Sequence, residues 1–156
     1  FFFFFFFFCL FFSRAEYNLS QTSGLRGRRM EGREQGQKQE SRVVKVSSKE
    51  SWDLFTTQAD SHGCPVVVHF TAAWCMPSVA MNPFFEKLAS TYQYMLFLTV
   101  DVDELKEVAR RIGVKAMPTF MVIKEGKAVG KLVGANPEEI GKWIDAFVWS
   151  IRASVA

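Results

Sequence analysis

The sequence predicts an α/β fold in which a mixed β-sheet lies between helices, and three observations carry that reading. Val66-Val67-Val68-His69-Phe70-Thr71 is an almost continuous apolar run of strand length, the pattern of a buried strand at the centre of a sheet. Segments with apolar residues at helical spacing alternate with strand-like runs along the chain. Near the end, two strand-like runs flank Lys124-Glu125-Gly126-Lys127, a hairpin signal. Strands and helices in that alternation pack as a sheet covered by helices.

Each element has its own signal. Arg42 to Val46 is a short strand, and Ser47 or Ser48 caps a helix running to about Ala59 with Trp52 and Phe55 facing inward. After the central strand Val66–Thr71, apolar residues at Val79, Ala80, Phe84 and Leu88 mark a helix from Pro77 to about Ser90, kinked at Pro83, which lacks an N–H. Tyr94 to Val100 is the next strand, and the helix over Glu104–Arg111 stops before Gly113. Pro118–Ile123 and Ala128–Val133 form the hairpin. The last helix takes Asn136 as N-cap and Pro137 at its first position, with Glu139 placed to close a capping box; Ile140, Trp143, Ile144 and Phe147 form its apolar stripe. The order is β-α-β-α-β-α-β-β-α, without an internal repeat.

The chain of 156 residues is long enough for one domain with a full core, and 49% apolar with 22% charged residues is ordinary for a soluble globular protein. The charge is unevenly placed. Residues 1–42 hold seven Lys/Arg against four Glu, whereas residues 43–156 hold twelve basic and twelve acidic residues. The excess of +3 therefore lies in the tail, and the domain itself implies neither a nucleic acid nor a membrane partner. We read residues 1–42 as an N-terminal tail and 43–156 as the domain. The tail opens with eight Phe followed by Cys9-Leu10-Phe11-Phe12, too short an apolar run to span a bilayer, which takes roughly twenty residues. A secretory signal would want a basic stretch before the run and a small-residue cleavage site after it. Position 1 is not Met, and a run of Phe is what a thymine-rich leader yields on translation, so translation is expected to begin at Met30, with residues 1–29 a gene-model extension. Gly32 to Ser41 has no apolar periodicity and is expected to be a disordered linker. A chain beginning at Met30 has no export signal, which makes the expected location cytoplasmic.

The chemistry concentrates in Trp74-Cys75-Met76-Pro77-Ser78, where one cysteine stands at a strand-to-helix junction. A helix N-terminus offers unpaired N–H groups and the positive end of a dipole, which favour a thiolate over a thiol. Cys75 is the expected nucleophile. Cys64 lies at the other end of the central strand. At about 3.3 Å per residue, the eleven-residue separation from Cys75 exceeds the reach of a disulfide. We expect Cys64 to be an inert packing residue. His62, His69 and the cysteines lack the spacing of a metal site, and no cofactor is implied.

Several separated segments share one resemblance. Trp74-Cys75-Met76-Pro77, Val100-Asp101-Val102-Asp103, Met117-Pro118-Thr119-Phe120, the turn Lys124–Lys127 and Val133-Gly134-Ala135 together make residues 43–150 resemble the thioredoxin family. With Ser78 as the fourth residue of the motif, the chain looks like the plant monocysteinic group whose active site reads Cys-x-x-Ser. The resemblance implies a thioredoxin fold, and a cis peptide at Met117-Pro118 with Pro118 lying against Cys75. It also implies thiol–disulfide exchange on disulfide-containing or thiol proteins, favouring protein disulfide isomerisation with weak reductase activity.

One cysteine limits what that exchange can be. In a dithiol enzyme the first thiolate attacks a substrate disulfide and the second cysteine breaks the mixed disulfide. Ser78 cannot do the second step, although its hydroxyl is of a size to hydrogen-bond the Cys75 sulfur. Resolution then falls to another thiol of the substrate or to glutathione. His69 stands where thioredoxins usually carry a buried Asp; it either tunes Cys75 or exchanges its proton, or is a neutral core histidine, the reading that burial favours. Val79 replaces a basic residue that thioredoxins often have there. Trp74, Met117 and Pro118 are the expected substrate-contacting residues, with Met76 undecided between contact and packing. The domain is expected to act as a monomer. Two other functions compete: a glutathione-linked monothiol oxidoreductase, against which stand Trp74, Pro77 and the absence of a Gly-Gly-Cys-Asp segment after Pro118, and a non-catalytic peptide-binding or holdase module.

Overall fold

The computed structural model describes residues 41–155. The expected start at Met30, Cys9 and all of the expected tail except Ser41 and Arg42 lie outside the described residues. The elements are β1 (Val43–Val46), α1 (Lys49–Ser61), β2 (Val66–Thr71), α2 (Met76–Val79), α3 (Asn82–Thr91), β3 (Leu96–Asp101), α4 (Lys106–Ile112), β4 (Thr119–Lys124), β5 (Lys127–Val133) and α5 (Pro137–Val155). The five strands form one sheet in the order β1-β3-β2-β4-β5. β3 runs parallel to both β1 and β2, whereas β4 is antiparallel to β2 and to β5, so the sheet is mixed.

β2 is the middle strand, and Val66 through Phe70 are all buried. Successive side chains of a strand point to opposite faces. Val66, Val68 and Phe70 accordingly join Trp52 and Phe55 of α1 and Val108 of α4 in one core. Val67 points the other way, into a second core with Phe85 and Leu88 of α3 and Ile140, Ile144 and Val148 of α5. A strand apolar on both faces needs a layer of helices on each side, and the chain supplies two.

Local signals set the element ends. Ser48 is the cap of α1: its hydroxyl accepts from Ser51 N–H at 3.1 Å, and the Ser51 hydroxyl accepts in return from Ser48 N–H. At α5, Asn136 Oδ1 accepts from the N–H groups of Glu138 and Glu139. The single kinked helix expected from Pro77 to Ser90 is two helices, α2 and α3, separated at Ala80–Met81. Pro83 explains the break. It has no N–H to give to the Val79 carbonyl four residues back, and its ring would collide with that carbonyl. The helix expected from Glu104 starts later, at Lys106, after Leu105 N–H has bonded the Asp101 carbonyl.

The β4–β5 turn is made by Glu125 and Gly126, with φ of 52° and 68°. Two positive values in a two-residue loop match the twist of a hairpin, but they suit glycine or asparagine better than glutamate. Further along β5, a Cβ on Gly130 would lie 2.9 Å from Trp143 Cζ2, so glycine lets the α5 indole lie directly on the strand. Replacing Glu125 by Asn should raise unfolding stability by about 0.5–1 kcal/mol. Urea titration should show this as a higher midpoint with an unchanged slope.

Candidate functional site

The site lies at the carboxyl end of β2, beside the carboxyl end of β3 and the start of β4, where the sheet passes from parallel to antiparallel pairing. Crevices outside the carboxyl ends of strands are the usual place for ligands in such sheets. After Thr71 the chain turns through Ala72–Trp74, and Cys75 N–H bonds the Ala72 carbonyl at 3.0 Å. Cys75 then stands as the N-cap of α2, its carbonyl accepting from Ser78 N–H at 2.9 Å and Val79 N–H at 3.0 Å.

The Cys75 side chain is half-buried. Its thiol donates to the Met117 carbonyl at 3.6 Å, and no backbone N–H of α2 is bonded to the sulfur. This contact spans 42 residues of sequence and exists because β4 pairs with β2. The Met117-Pro118 peptide is cis, as the resemblance implied, and Pro118 is buried beside half-buried Met117. Cys64 and Cys75 lie at opposite ends of β2, and neither is in a disulfide among the described residues.

The Ser78 hydroxyl, though of a size to reach the Cys75 sulfur, bonds elsewhere. Ser78 is fully buried and points inward, donating to Thr71 Oγ1 at 2.8 Å, with His69 Nε2 at 3.3 Å. A hydroxyl has one hydrogen. With that hydrogen on the Thr71 bond, we assign the second bond to His69 Nε2–H donating to Ser78 Oγ. Nδ1 is then a bare acceptor, and it is indeed buried without a partner, a less costly atom to strand than an N–H. The three residues come together by strand parity. His69 and Thr71 share the β2 face that Val67 occupies, and α2 crosses over that face.

His69 is fully buried, stacked on Phe120 with ring centroids 4.6 Å apart and packed against Phe85 at 5.3 Å. Burial among these rings disfavours the imidazolium and pushes its pKa down to about 4. The histidine is thus a neutral core residue at neutral pH, with Nε2 bonded to Ser78 Oγ.

Trp74 and Met76 are 66% and 70% exposed and stand on either side of Cys75 in sequence. The Trp74 indole N–H donates to Asp103 Oδ2 at 2.7 Å, which fixes a large exposed ring at the rim. Asp103 in turn is fixed through its own N–H, bonded to Asp101 Oδ1 at 2.8 Å. Neither Asp103 nor Thr71 stood out in the sequence as a site residue. The signal for Thr71 was present, since it lies two residues beyond His69 on the same strand face. Among the described residues no group of three or more His, Cys, Asp or Glu is placed to hold a metal ion, and no helix is long and apolar enough to cross a membrane.

Residues 43–146 match the family model described as Thioredoxin. The chain belongs to the thioredoxin family. It is 60% identical over 111 residues to the thioredoxin-like protein CXXS1 of Arabidopsis thaliana, covering 71% of this chain and 94% of that one. A CXXS1 protein of Oryza sativa subsp. japonica is 56% identical over 106 residues, covering 68% and 80%. Among solved structures, a poplar thioredoxin h mutant superposes with a TM-score of 0.68 at 38% identity, covering 70% of this chain and 85% of that one. The thioredoxin NaTrxh of Nicotiana alata gives 0.64 at 39% identity, covering 67% and 90%. The likeness to plant Cys-x-x-Ser proteins and the thioredoxin fold read from the sequence are both upheld. The chain is a thioredoxin-family thiol–disulfide oxidoreductase, a family that acts on protein thiols and disulfides.

The depressed pKa of His69 has a consequence for stability. Between pH 6.5, the ordinary histidine value, and about pH 4 the unfolded chain binds a proton at His69 that the folded chain does not. Stability is therefore full above pH 6.5 and falls as the pH drops toward 4, by up to about 3 kcal/mol. Denaturant melts from pH 7 to 4 should show this loss, and His69→Gln, which does not titrate in this range, should lose correspondingly less stability over the same interval.

Proposed function

We propose that this protein is a disulfide isomerase acting through Cys75 alone, with weak disulfide reductase activity. The supporting observation is the division of labour between the two motif positions. Cys75 offers its thiol next to Met117 and the exposed Trp74, while the Ser78 hydroxyl is committed to Thr71 and His69 inside the protein. Nothing at position 78 can resolve a mixed disulfide.

The cycle needs no net electrons. The Cys75 thiolate attacks one sulfur of a substrate disulfide, forming the Cys75–substrate bond and releasing the other substrate sulfur as a thiolate. A substrate thiolate then attacks the substrate sulfur of the mixed disulfide. This makes a new substrate disulfide and returns Cys75 as a thiolate. The released thiolate is tethered to the same molecule and acts at high effective concentration, which favours it over dilute external thiol. Reduction has no such advantage, because it consumes electrons from outside. Trp74, Met117 and Pro118 are proposed to contact the substrate chain, and the partners are proteins with disulfides or free thiols.

Wild type should reactivate scrambled ribonuclease at a rate well above its reduction of insulin, and Cys75→Ser should lose at least nine-tenths of the reactivation. Equal reactivation by wild type and Cys75→Ser would overturn the isomerase reading in favour of a peptide-binding module. Reactivation that occurs only with added glutathione would replace it by the glutathione-linked one.

A further inference from the structure

We infer that Thr71 and His69 are positioning residues for Cys75: they clasp the Ser78 hydroxyl inside the protein and so hold the turn that carries the nucleophile, whether Cys75 is a free thiol or part of a mixed disulfide. The inference rests on the proposed role of Cys75 as the nucleophile.

The turn cannot hold itself. α2 is four residues long, and a single helical turn in isolation is unstable because it fixes several backbone dihedrals for few hydrogen bonds. Its attachment to the rest of the domain is also narrow. Met76 and Pro77 are exposed and Val79 is half-buried, so Ser78 is the one fully buried residue of the four. Ser78 and Cys75 belong to the same turn, because Ser78 N–H bonds the Cys75 carbonyl at 2.9 Å. Whatever fixes Ser78 therefore fixes the backbone of Cys75.

Both partners of the Ser78 hydroxyl come from the rigid part of the fold. Thr71 ends β2 in register with Asp101 of β3, and its carbonyl accepts from Val102 N–H at 2.9 Å. His69 is gripped between Phe120 of β4 and Phe85 of α3. The bonds run His69 Nε2–H to Ser78 Oγ and Ser78 O–H to Thr71 Oγ1, and Ser78 is fully buried, where an unmatched hydroxyl is costly. A cysteine at position 78 would tie the turn by a bond to Cys75 only when both were oxidised. The hydroxyl clasp does not depend on the redox state, so the turn keeps its place through every step of the exchange.

Thr71→Val removes the acceptor while keeping the side-chain volume, and Thr71→Ser returns it. Amide hydrogen exchange followed by NMR on the folded chain should show Ser78 and Val79 N–H exchanging about tenfold faster in Thr71→Val, with Leu98 and Val100 unchanged. Thr71→Ser should bring them back to within about twofold of wild type. With a disulfide-bonded peptide as substrate, Thr71→Val should lower the maximal rate of mixed-disulfide formation about fivefold and leave the half-saturating concentration unchanged, because the rim of Trp74 and Met117 is untouched. Ser78→Ala should reproduce both effects, and the double variant should be no slower than either single one. Wild-type exchange at Ser78 and Val79 in Thr71→Val, failure of Thr71→Ser to restore it, or faster exchange with an unchanged maximal rate would each overturn the inference. Should Cys75→Ser still reactivate scrambled ribonuclease, the proposed function falls while the exchange result for the clasp stands by itself.

Discussion

Burial of β2 on both faces is the constraint from which the rest of this structure follows. A strand with no solvent-facing side must be apolar at every position or satisfy each polar group it carries. From Val66 to Phe70 the strand breaks that rule once, at His69. The fold answers with two aromatic rings against the imidazole and a hydroxyl at Nε2. The position of α2, the inward turn of Ser78 and the outward presentation of Cys75 are all consistent with that one buried polar group. The same burial disfavours the imidazolium, and the price is the loss of stability in acid.

Much of the fold was legible because its signals are local. The β2 run, the stripe of Ile140 and Ile144 on α5, the serine and asparagine caps and the Glu125-Gly126 turn each declare an element within a few residues. The exceptions have physical causes of a longer range. Whether Pro83 kinks one helix or separates two depends on how α2 and α3 pack on the sheet, and Met81 goes into the second core just where the chain bends. The strand expected at Tyr94 starts at Leu96, because Leu96 N–H bonds the Pro65 carbonyl and so sets the register with β2.

The candidate site was legible at Cys75 and less so in the residues around it. Cys75 stood out by motif, and His69 by being polar in an apolar run. The motif shows that a hydroxyl replaces the resolving thiol at Ser78, but not which way that hydroxyl points. In three dimensions Ser78 faces the strand beneath it. Thr71 and Asp103 do not stand out as site residues because their partners are seven and 29 residues away, and a bond such as Trp74 to Asp103 appears only once β3 lies parallel beside β2.

The separation of the two described thiols also has a kinetic meaning. Cys64 precedes β2 and Cys75 follows it, so a six-residue strand, roughly 20 Å long, stands between them as a rigid spacer. Neither can oxidise the other within one folded domain. A disulfide between Cys75 and a thiol on another molecule forms at a rate set by the concentration of both, and shows itself as a gain in mass rather than a change of shape.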